Sequence, residues 1–103
     1  MKYKEEARRL VMERIEVFNK IYKLRYGRIA IRNTKSRWGS CSKKGDLNFN
    51  YRIVFLPPAL ANYLVVHEIC HLKEFNHSQK FWDLMAKAVP DYKKLQKELR
   101  MKR

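Results

Sequence analysis

One apolar stretch in the middle of the chain most limits what this sequence can fold into. Residues 53–76 carry one basic and two acidic side chains, whereas the 103-residue chain has 24 Lys and Arg against 10 Asp and Glu, a net charge of +14. Such a segment is expected to be buried, because burial of unpaired charges is costly. We predict that it forms the centre of a single domain, residues 1–103, since the chain is too short for two independent cores.

Four stretches have the apolar period of three to four residues that is typical of helices. The first helix is expected to end near Gly27, and Pro57-Pro58 can open the second, because proline is tolerated in a first helical turn. Ser78 is the expected N-cap of the third helix, and the charge-rich last helix is expected to be solvated. The predicted helices are residues 3–26, 59–74, 78–89 and 93–103.

Three short segments between the first two helices alternate polar and apolar residues, as strands do. They are residues 28–33, 37–42 and 46–50, with a turn at residues 43–45. Residues 51–56 are either a further strand or the lead-in to the second helix. The sequence therefore predicts an α+β fold in which a small, mostly antiparallel sheet, arranged as a meander, lies between a long N-terminal helix and three later helices.

The second predicted helix contains the pattern His-Glu-x-x-His, residues 67–71. This spacing places His67 and His71 on one side of a helix, where two imidazoles can bind one metal ion. A catalytic zinc needs three protein ligands and an open position, and the third of the chain's three histidines, His77, can complete the set if the chain turns back. Glu68 lies beside the first ligand and is the expected general base. The pattern predicts one Zn²⁺ per chain.

The third ligand depends on where the helix ends. Glu74 occupies the place of the helix-breaking glycine in the longer pattern His-Glu-x-x-His-x-x-Gly-x-x-His. Asn76 tolerates a left-handed conformation and could end the helix before His77. If the helix continued, His77 would lie about 600° around the axis from His71 and point away. The alternative, two core histidines without a metal, is disfavoured because such polar groups are costly on an apolar helix.

Further motifs give the chain a resemblance to a known family. In order along the chain they are Arg37-Trp38-Gly39-Ser40-Cys41-Ser42, Leu56-Pro57, Val65-Val66-His67-Glu68-Ile69-Cys70-His71-Leu72, Asn76-His77-Ser78, Phe81-Trp82 and Pro90-Asp91-Tyr92. In the order and spacing of these motifs, the chain resembles the YgjP-like family of zinc-dependent metallopeptidases over nearly its whole length. The Trp-Gly-Ser-Cys and Asn-His-Ser segments do not follow from zinc chemistry, so the resemblance is more specific than the metal pattern.

The resemblance implies a minimal zincin fold, with a small sheet over the metal-bearing helix, and hydrolysis of peptide bonds. By position, His67, His71 and His77 would be zinc ligands and Glu68 the general base. Family members are commonly longer at the N-terminus, so any substrate-binding role of that region is expected to be absent or supplied by another chain. The family is also similar to SprT-like proteases, which act on proteins crosslinked to DNA.

A peptidase also needs a donor for the oxyanion that forms at the attacked carbonyl. Tyr63 lies one helical turn before His67, and the sequence does not choose between it and the other candidates, Arg37, Tyr51 and Tyr92.

Residues 38–41 are either an edge strand beside the cleft, to which a substrate peptide could add, or a core aromatic followed by a glycine bulge. Cys41 and Cys70 are expected to be structural, reduced thiols. Phe81 and Trp82 are expected to pack behind the third ligand.

The positive charge supports a competing function. A nucleic-acid-binding module with a structural zinc, or a protease that acts on DNA-bound proteins, would use the +14 charge to neutralise phosphates. Charge is the only support for this alternative, because the sequence contains no nucleic-acid-binding motif.

The N-terminal residues 1–14 lack the uninterrupted apolar run of a signal peptide or membrane span, so a soluble, cytoplasmic protein is expected. Neither the substrate nor the oligomeric state follows from the sequence.

Overall fold

The computed structural model describes residues 2–102 and confirms the α+β class. In chain order the elements are α1 (Lys4–Tyr22), β1 (Ile29–Arg32), β2 (Gly39–Cys41), β3 (Leu47–Asn50), a 3₁₀ helix (Tyr51–Phe55), α2 (Pro58–Cys70), α3 (Gln79–Ala86) and α4 (Tyr92–Arg100). Met1 and Arg103, the ends of the expected domain, lie outside the described residues. Across residues 2–102, no helix is both long and apolar enough to cross a bilayer.

The core is built around α2, as the apolar central segment predicts. Nine of its thirteen residues are buried, and it packs against α1, α3, α4 and β2. Pro57 is the N-cap residue and Pro58 the first helical residue, which suits proline because the first turn needs no intrahelical N–H donor. The helix ends at Cys70, four residues before the predicted end, and this early end matters for the site.

The sheet is mixed, and the meander order is wrong. β3 lies in the middle, parallel to β1 and antiparallel to β2. The apolar strand takes the central place: Leu47 and Phe49 of β3 are fully buried, whereas β2 has no fully buried residue. The predicted turn between β2 and β3 is present, and Gly45 adopts a φ of 92° there, a conformation that favours glycine.

The first helix ends at Tyr22 rather than near Gly27. Lys23 takes the left-handed cap conformation, with a φ of 53°. The side chain of Asn19 stabilises this end, since its Oδ1 accepts from the Leu24 N–H at 3.0 Å and its Nδ2 donates to the Leu24 carbonyl at 2.8 Å. A side-chain amide thus replaces the expected glycine as the helix stop.

The last helix is not simply solvated. Leu95 and Leu99, four residues apart on one face of α4, are buried against α2. The third helix begins as predicted, with Ser78 at the N-cap, but the Ser78 hydroxyl makes no capping hydrogen bond. The charged residues of the tail therefore cover one side of a packed amphipathic helix.

Asn50 joins β3 to the preceding loop. Its buried Nδ2 donates to the carbonyls of Thr34 at 2.7 Å and Arg37 at 2.9 Å, and its Oδ1 accepts from the Arg52 N–H at 3.0 Å. This last bond caps the 3₁₀ helix, which corrects the expectation of a strand or a simple lead-in at residues 51–56. Asn50 therefore fixes the loop at residues 33–38, which leads to the functional site.

Replacement of Asn50 by Ala is expected to lower the free energy of unfolding by about 2–3 kcal/mol, because the three hydrogen bonds that its buried amide makes to Thr34, Arg37 and Arg52 are lost. Asn48→Ala, on the same strand, is the matched control. Its Oδ1 accepts only a long bond, 3.3 Å, from exposed Arg32, so it should change stability by about 0.5 kcal/mol or less. Urea unfolding of both variants is the measurement, and equal destabilisation would contradict the role given to Asn50.

Candidate metal centre

The three histidine rings converge on one point. The Nε2 atoms of His67 and His71 are 3.2 Å apart, those of His71 and His77 are 3.0 Å apart, and those of His77 and His67 are 3.1 Å apart. Within residues 2–102 they form the one group of three or more potential metal-ligating side chains. The structure therefore brings together all three residues of the predicted ligand set.

This triangle of nitrogens fits a small divalent cation. Tetrahedral coordination with metal–nitrogen distances of 2.0–2.1 Å requires ligand nitrogens about 3.3 Å apart, close to the observed separations. Burial lowers the pKa of each imidazole, and for His67 burial together with the neighbouring His71 and His77 lowers the pKa to about 3. Neutral rings keep the lone pair that a metal ligand needs.

The ring of His71 is oriented from behind. Its Nδ1 lies 3.2 Å from the carbonyl of Glu74, and a proton on Nδ1 would donate to that oxygen. That tautomer leaves the Nε2 lone pair directed at the cluster, the arrangement by which outer hydrogen bonds orient metal ligands. Glu74, which replaces a glycine of the longer pattern, thus contributes through its backbone.

His77 reaches the cluster without a left-handed residue. The helix ends at Cys70, and a turn at residues 71–73 follows, in which the N–H groups of Lys73 and Glu74 donate to the Cys70 carbonyl. The expectation that Asn76 turns the chain in a left-handed conformation is wrong, because φ is positive only at Lys23 and Gly45 among residues 2–102. Because the helix ends early, six residues, 71–76, are available to reverse the chain direction, and none of them needs a left-handed backbone conformation.

Aromatic side chains form the support behind the histidines. Phe81, fully buried on α3, contacts all three imidazoles, with ring centroids 4.5–5.0 Å apart. Trp82 stacks on His77 at 5.7 Å, and Tyr92 stacks on Trp82 at 4.9 Å. The predicted packing role of Phe81 and Trp82 is confirmed, and it explains how exposed His77 keeps its orientation.

Glu68 is buried beside the cluster. It lines a cavity of about 220 Å³ together with His67 and His77, and its side chain is 3% exposed. Its Oε1 has no hydrogen-bond partner within the described chain, and burial raises the pKa of its carboxyl to about 8. A buried, unpaired carboxyl that opens into a cavity is typical of a proton-transfer group.

Gly39 lets β2 pass close to this carboxyl. A Cβ at Gly39 would lie 2.9 Å from the Asn48 carbonyl and 3.1 Å from Glu68 Oε2. β2 is an edge strand, and Gly39 pairs in register with Phe49, so it is not a bulge. The edge-strand interpretation of residues 38–41 is confirmed, while Trp38 both packs on the core and lines the cavity.

The variant Gly39→Ala is expected to lower both stability and peptide hydrolysis, because the added methyl must displace the strand or Glu68. Overpacking of this kind reduces the free energy of unfolding by about 1–3 kcal/mol. Ser40→Ala is the control for stability: the next side chain along β2 points to the opposite face of the strand, so this variant should unfold like the wild type. Urea unfolding and hydrolysis assays measure the two effects, and wild-type behaviour of Gly39→Ala would contradict the close approach.

The cavity lining separates the four candidate oxyanion donors. Tyr63 and Arg37 line the cavity, but Tyr51 and Tyr92 do not. Tyr51 packs with Tyr3 and Phe55 instead.

Sequence reasoning missed a contribution of α4 to the cavity, where Gln96, Leu99 and Arg100 form one wall. Their spacing of three and four residues, which places them on one helix face, was the available signal.

Neither cysteine belongs to the histidine cluster. Cys70 is fully buried and Cys41 partly buried, and both are free. Burial raises the pKa of the Cys70 thiol to about 12, which makes it a poor nucleophile or ligand at neutral pH. Both therefore behave as the small structural residues that the sequence predicts.

Comparison with known families gives a match over almost the whole chain. The model of the family described as YgjP-like, metallopeptidase domain, matches residues 2–102. The chain belongs to the YgjP-like metallopeptidase family. No curated protein matches it closely enough to count as a relative.

Two solved structures resemble this YgjP-like domain in fold. The metallopeptidase zymogen of Pyrococcus abyssi abylysin has a TM-score of 0.74 and 23% identity, with 93% of each chain covered. The metallopeptidase zymogen of Methanocaldococcus jannaschii jannalysin has a TM-score of 0.70 and 22% identity, with 93% of this chain and 95% of that one covered. At these identities the likeness concerns the fold.

Family membership confirms the predicted activity class. The YgjP-like domain is a metal-dependent peptidase, and its substrate is a peptide or protein. Neither the family match nor the similar folds support the alternative of a nucleic-acid-binding module with a structural zinc.

Proposed function

We propose that this YgjP-like domain hydrolyses peptide bonds with one Zn²⁺ held by His67, His71 and His77, and with Glu68 as general base. The observation that carries the proposal is the convergence of three Nε2 atoms, 3.0–3.2 Å apart, at a cavity that also contains a buried, unpaired carboxyl. Three nitrogen ligands with a cavity at the fourth side are typical of catalytic rather than structural zinc.

Zinc is the metal that we propose, because three imidazoles with a fourth position left open form a ligand set typical of catalytic zinc sites. When bound there, zinc would polarise the scissile carbonyl and lower the pKa of a water molecule to about 7.

Glu68 carries the proton transfers. As a water molecule attacks the carbonyl carbon of the scissile bond, the Glu68 carboxylate accepts one of its protons. Glu68 then donates that proton to the nitrogen of the leaving amine as the C–N bond breaks. Its pKa near neutrality suits both transfers, because a general acid or base works best when its pKa lies near the operating pH.

Tyr63 is the oxyanion donor that we propose. Its side chain is 3% exposed, its ring lies 5.6 Å from that of His67, and both line the cavity. Burial, with the nearby Glu68, raises its pKa to about 12, so the phenol keeps its proton at neutral pH. A buried hydroxyl held in one place is the kind of preorganised donor that stabilises a developing oxyanion.

The chain is proposed to form one domain over residues 1–103 and to work in the cytoplasm, where its two free cysteines would stay reduced. The edge strand β2, which runs beside the cavity, is proposed to receive an extended peptide through main-chain hydrogen bonds.

Chelation tests the zinc proposal. Treatment of the protein with a chelator, followed by dialysis, is expected to abolish hydrolysis of internally quenched peptides, and one equivalent of Zn²⁺ should restore it. Mass spectrometry of the products should show a new amine and a new carboxylate at one bond. Hydrolysis that persists after the metal has been removed to below one-hundredth of an equivalent would contradict the proposal.

A further inference from the structure

Basic side chains surround the candidate active site. Arg37 and Arg100 line the mouth of the cavity that contains His67 and Glu68, and both are exposed. Glu68 is the one acidic residue in that lining, and it is buried. The entrance of the cleft is therefore positively charged, and its low-dielectric walls concentrate that field.

Two neighbouring surface pockets extend this charge. One, over the outer face of the sheet, is lined by Arg32 and Arg37, and the other by Lys35, Arg37, Arg52 and Lys102. Neither lining contains an acidic residue. Arg37 lines both of these pockets and the cavity, so the three depressions are neighbours that meet at this residue.

The surroundings of His71 are basic too. There a pocket beside His71 is lined by Lys43 and Lys73 and by no acidic residue. Basic side chains thus line the pocket beside His71 as well as the cavity beside His67 and His77. By contrast, the pocket on the outer face of α1 is lined by both Arg9 and Lys20 and by the acidic Glu13 and Glu16.

Arg37 extends from a fixed backbone. Its carbonyl accepts from Asn50 Nδ2 and from Thr34 Oγ1, each at 2.9 Å. Asn50 is buried, so this loop is anchored to the central strand. A guanidinium on an anchored loop loses less freedom when it binds a carboxylate, and it can bind both oxygens of that group.

We propose that the preferred substrates are polypeptides with acidic side chains next to the scissile bond, and that Arg37 is the main residue that selects them. This inference rests on the proposed peptidase function and deepens it. Side chains of an extended peptide beside β2 would alternate between the cavity and the outer face of the sheet. Arg37 lines the pockets on both faces, so a carboxylate at either position can reach it.

The test uses paired quenched peptides that differ only by Glu or Gln next to the cleaved bond. For the wild-type protein, kcat/KM is expected to be about tenfold higher for the Glu peptide at low salt, and the ratio should fall as salt is raised. In Arg37→Glu the ratio should fall to about one or below. Equal kcat/KM for both peptides in the wild type would overturn the inference while leaving the peptidase function intact.

Lys94→Glu is the matched control, since it changes the net charge by the same amount. Lys94 lies on α4, about 160° around the helix from the cavity residue Gln96. The ratio of kcat/KM for the Glu peptide to kcat/KM for the Gln peptide should be the same in Lys94→Glu as in the wild type. If Lys94→Glu lowered the ratio as much as Arg37→Glu, overall charge rather than Arg37 would select the substrate, and the inference would be wrong.

Binding provides a readout that is independent of turnover. Fluorescence anisotropy measures the binding of labelled Glu and Gln peptides to the inactive variant Glu68→Gln, which should bind the Glu peptide more tightly. When Arg37→Glu is added to Glu68→Gln, this difference in affinity should disappear. Equal binding of both peptides, together with tight, salt-dependent binding of single-stranded DNA, would assign the basic surface to nucleic acid and overturn the inference. Failure of hydrolysis alone would count against the proposed function instead.

Discussion

Replacement of Glu68 by Gln is expected to reduce peptide hydrolysis by about 100-fold to 10,000-fold. Gln has nearly the same shape as Glu but cannot accept and return a proton at neutral pH, so the variant removes the proposed proton transfers alone. The loss should appear in kcat rather than in KM, because the substrate still binds. Steady-state kinetics with a quenched peptide measure the effect.

Metal binding and folding should survive this change. Glu68 is outside the histidine cluster, and a neutral amide in its buried position avoids the cost of an unpaired carboxyl. Zinc content and thermal unfolding are therefore expected to match those of the wild type, and Glu16→Gln, on the exposed side of α1, serves as the kinetic control. Turnover within threefold of the wild type would mean that Glu68 is not the general base.

Removal of the third imidazole in His77→Ala is expected to weaken zinc binding by more than about 100-fold. Loss of a hydrogen bond to a metal ligand already weakens binding 10-fold to 100-fold, so loss of a ligand should exceed that range. Isothermal titration, in competition with a chelator of known affinity, measures the change. Hydrolysis at limiting zinc should fall in parallel, because less protein carries the metal.

The metal-free fold should change little in this variant, because His77 is exposed and belongs to no helix or strand. Zinc should raise the unfolding temperature of the wild type and of the neighbouring control Asn76→Ala, but hardly that of His77→Ala, since a ligand stabilises in proportion to its occupancy. An equal rise in all three proteins would show that His77 does not bind the metal.

The parts of the structure that depend on local pattern could be predicted from the sequence. The spacing of His67 and His71 places both rings on one helix side wherever that helix lies, and the apolar composition of α2 predicts its burial. Pro58 marks its beginning correctly for the same local reason, the missing N–H donor. These features needed no knowledge of the rest of the fold.

Most errors arose where distant residues decide the outcome. The central place of β3, where Leu47 and Phe49 are fully buried, depends on its pairing with β1, which is distant in sequence, and strand pattern alone does not reveal that pairing. One error was local: the Asn19 side chain bonds to Leu24, five residues further on, and ends α1 before Gly27. The contribution of Gln96 and Arg100 to the cleft appears only when α4 docks on α2.

The most direct test of the three-histidine centre is X-ray absorption at the zinc edge, on protein loaded with one equivalent of Zn²⁺. A three-histidine centre should give three imidazole rings around the metal, at zinc–nitrogen distances of about 2.0 Å, without a sulfur ligand. In His77→Ala the number of imidazoles should fall to two. A sulfur ligand at about 2.3 Å, or fewer than three imidazoles in the wild-type protein, would show that His67, His71 and His77 do not together bind the metal.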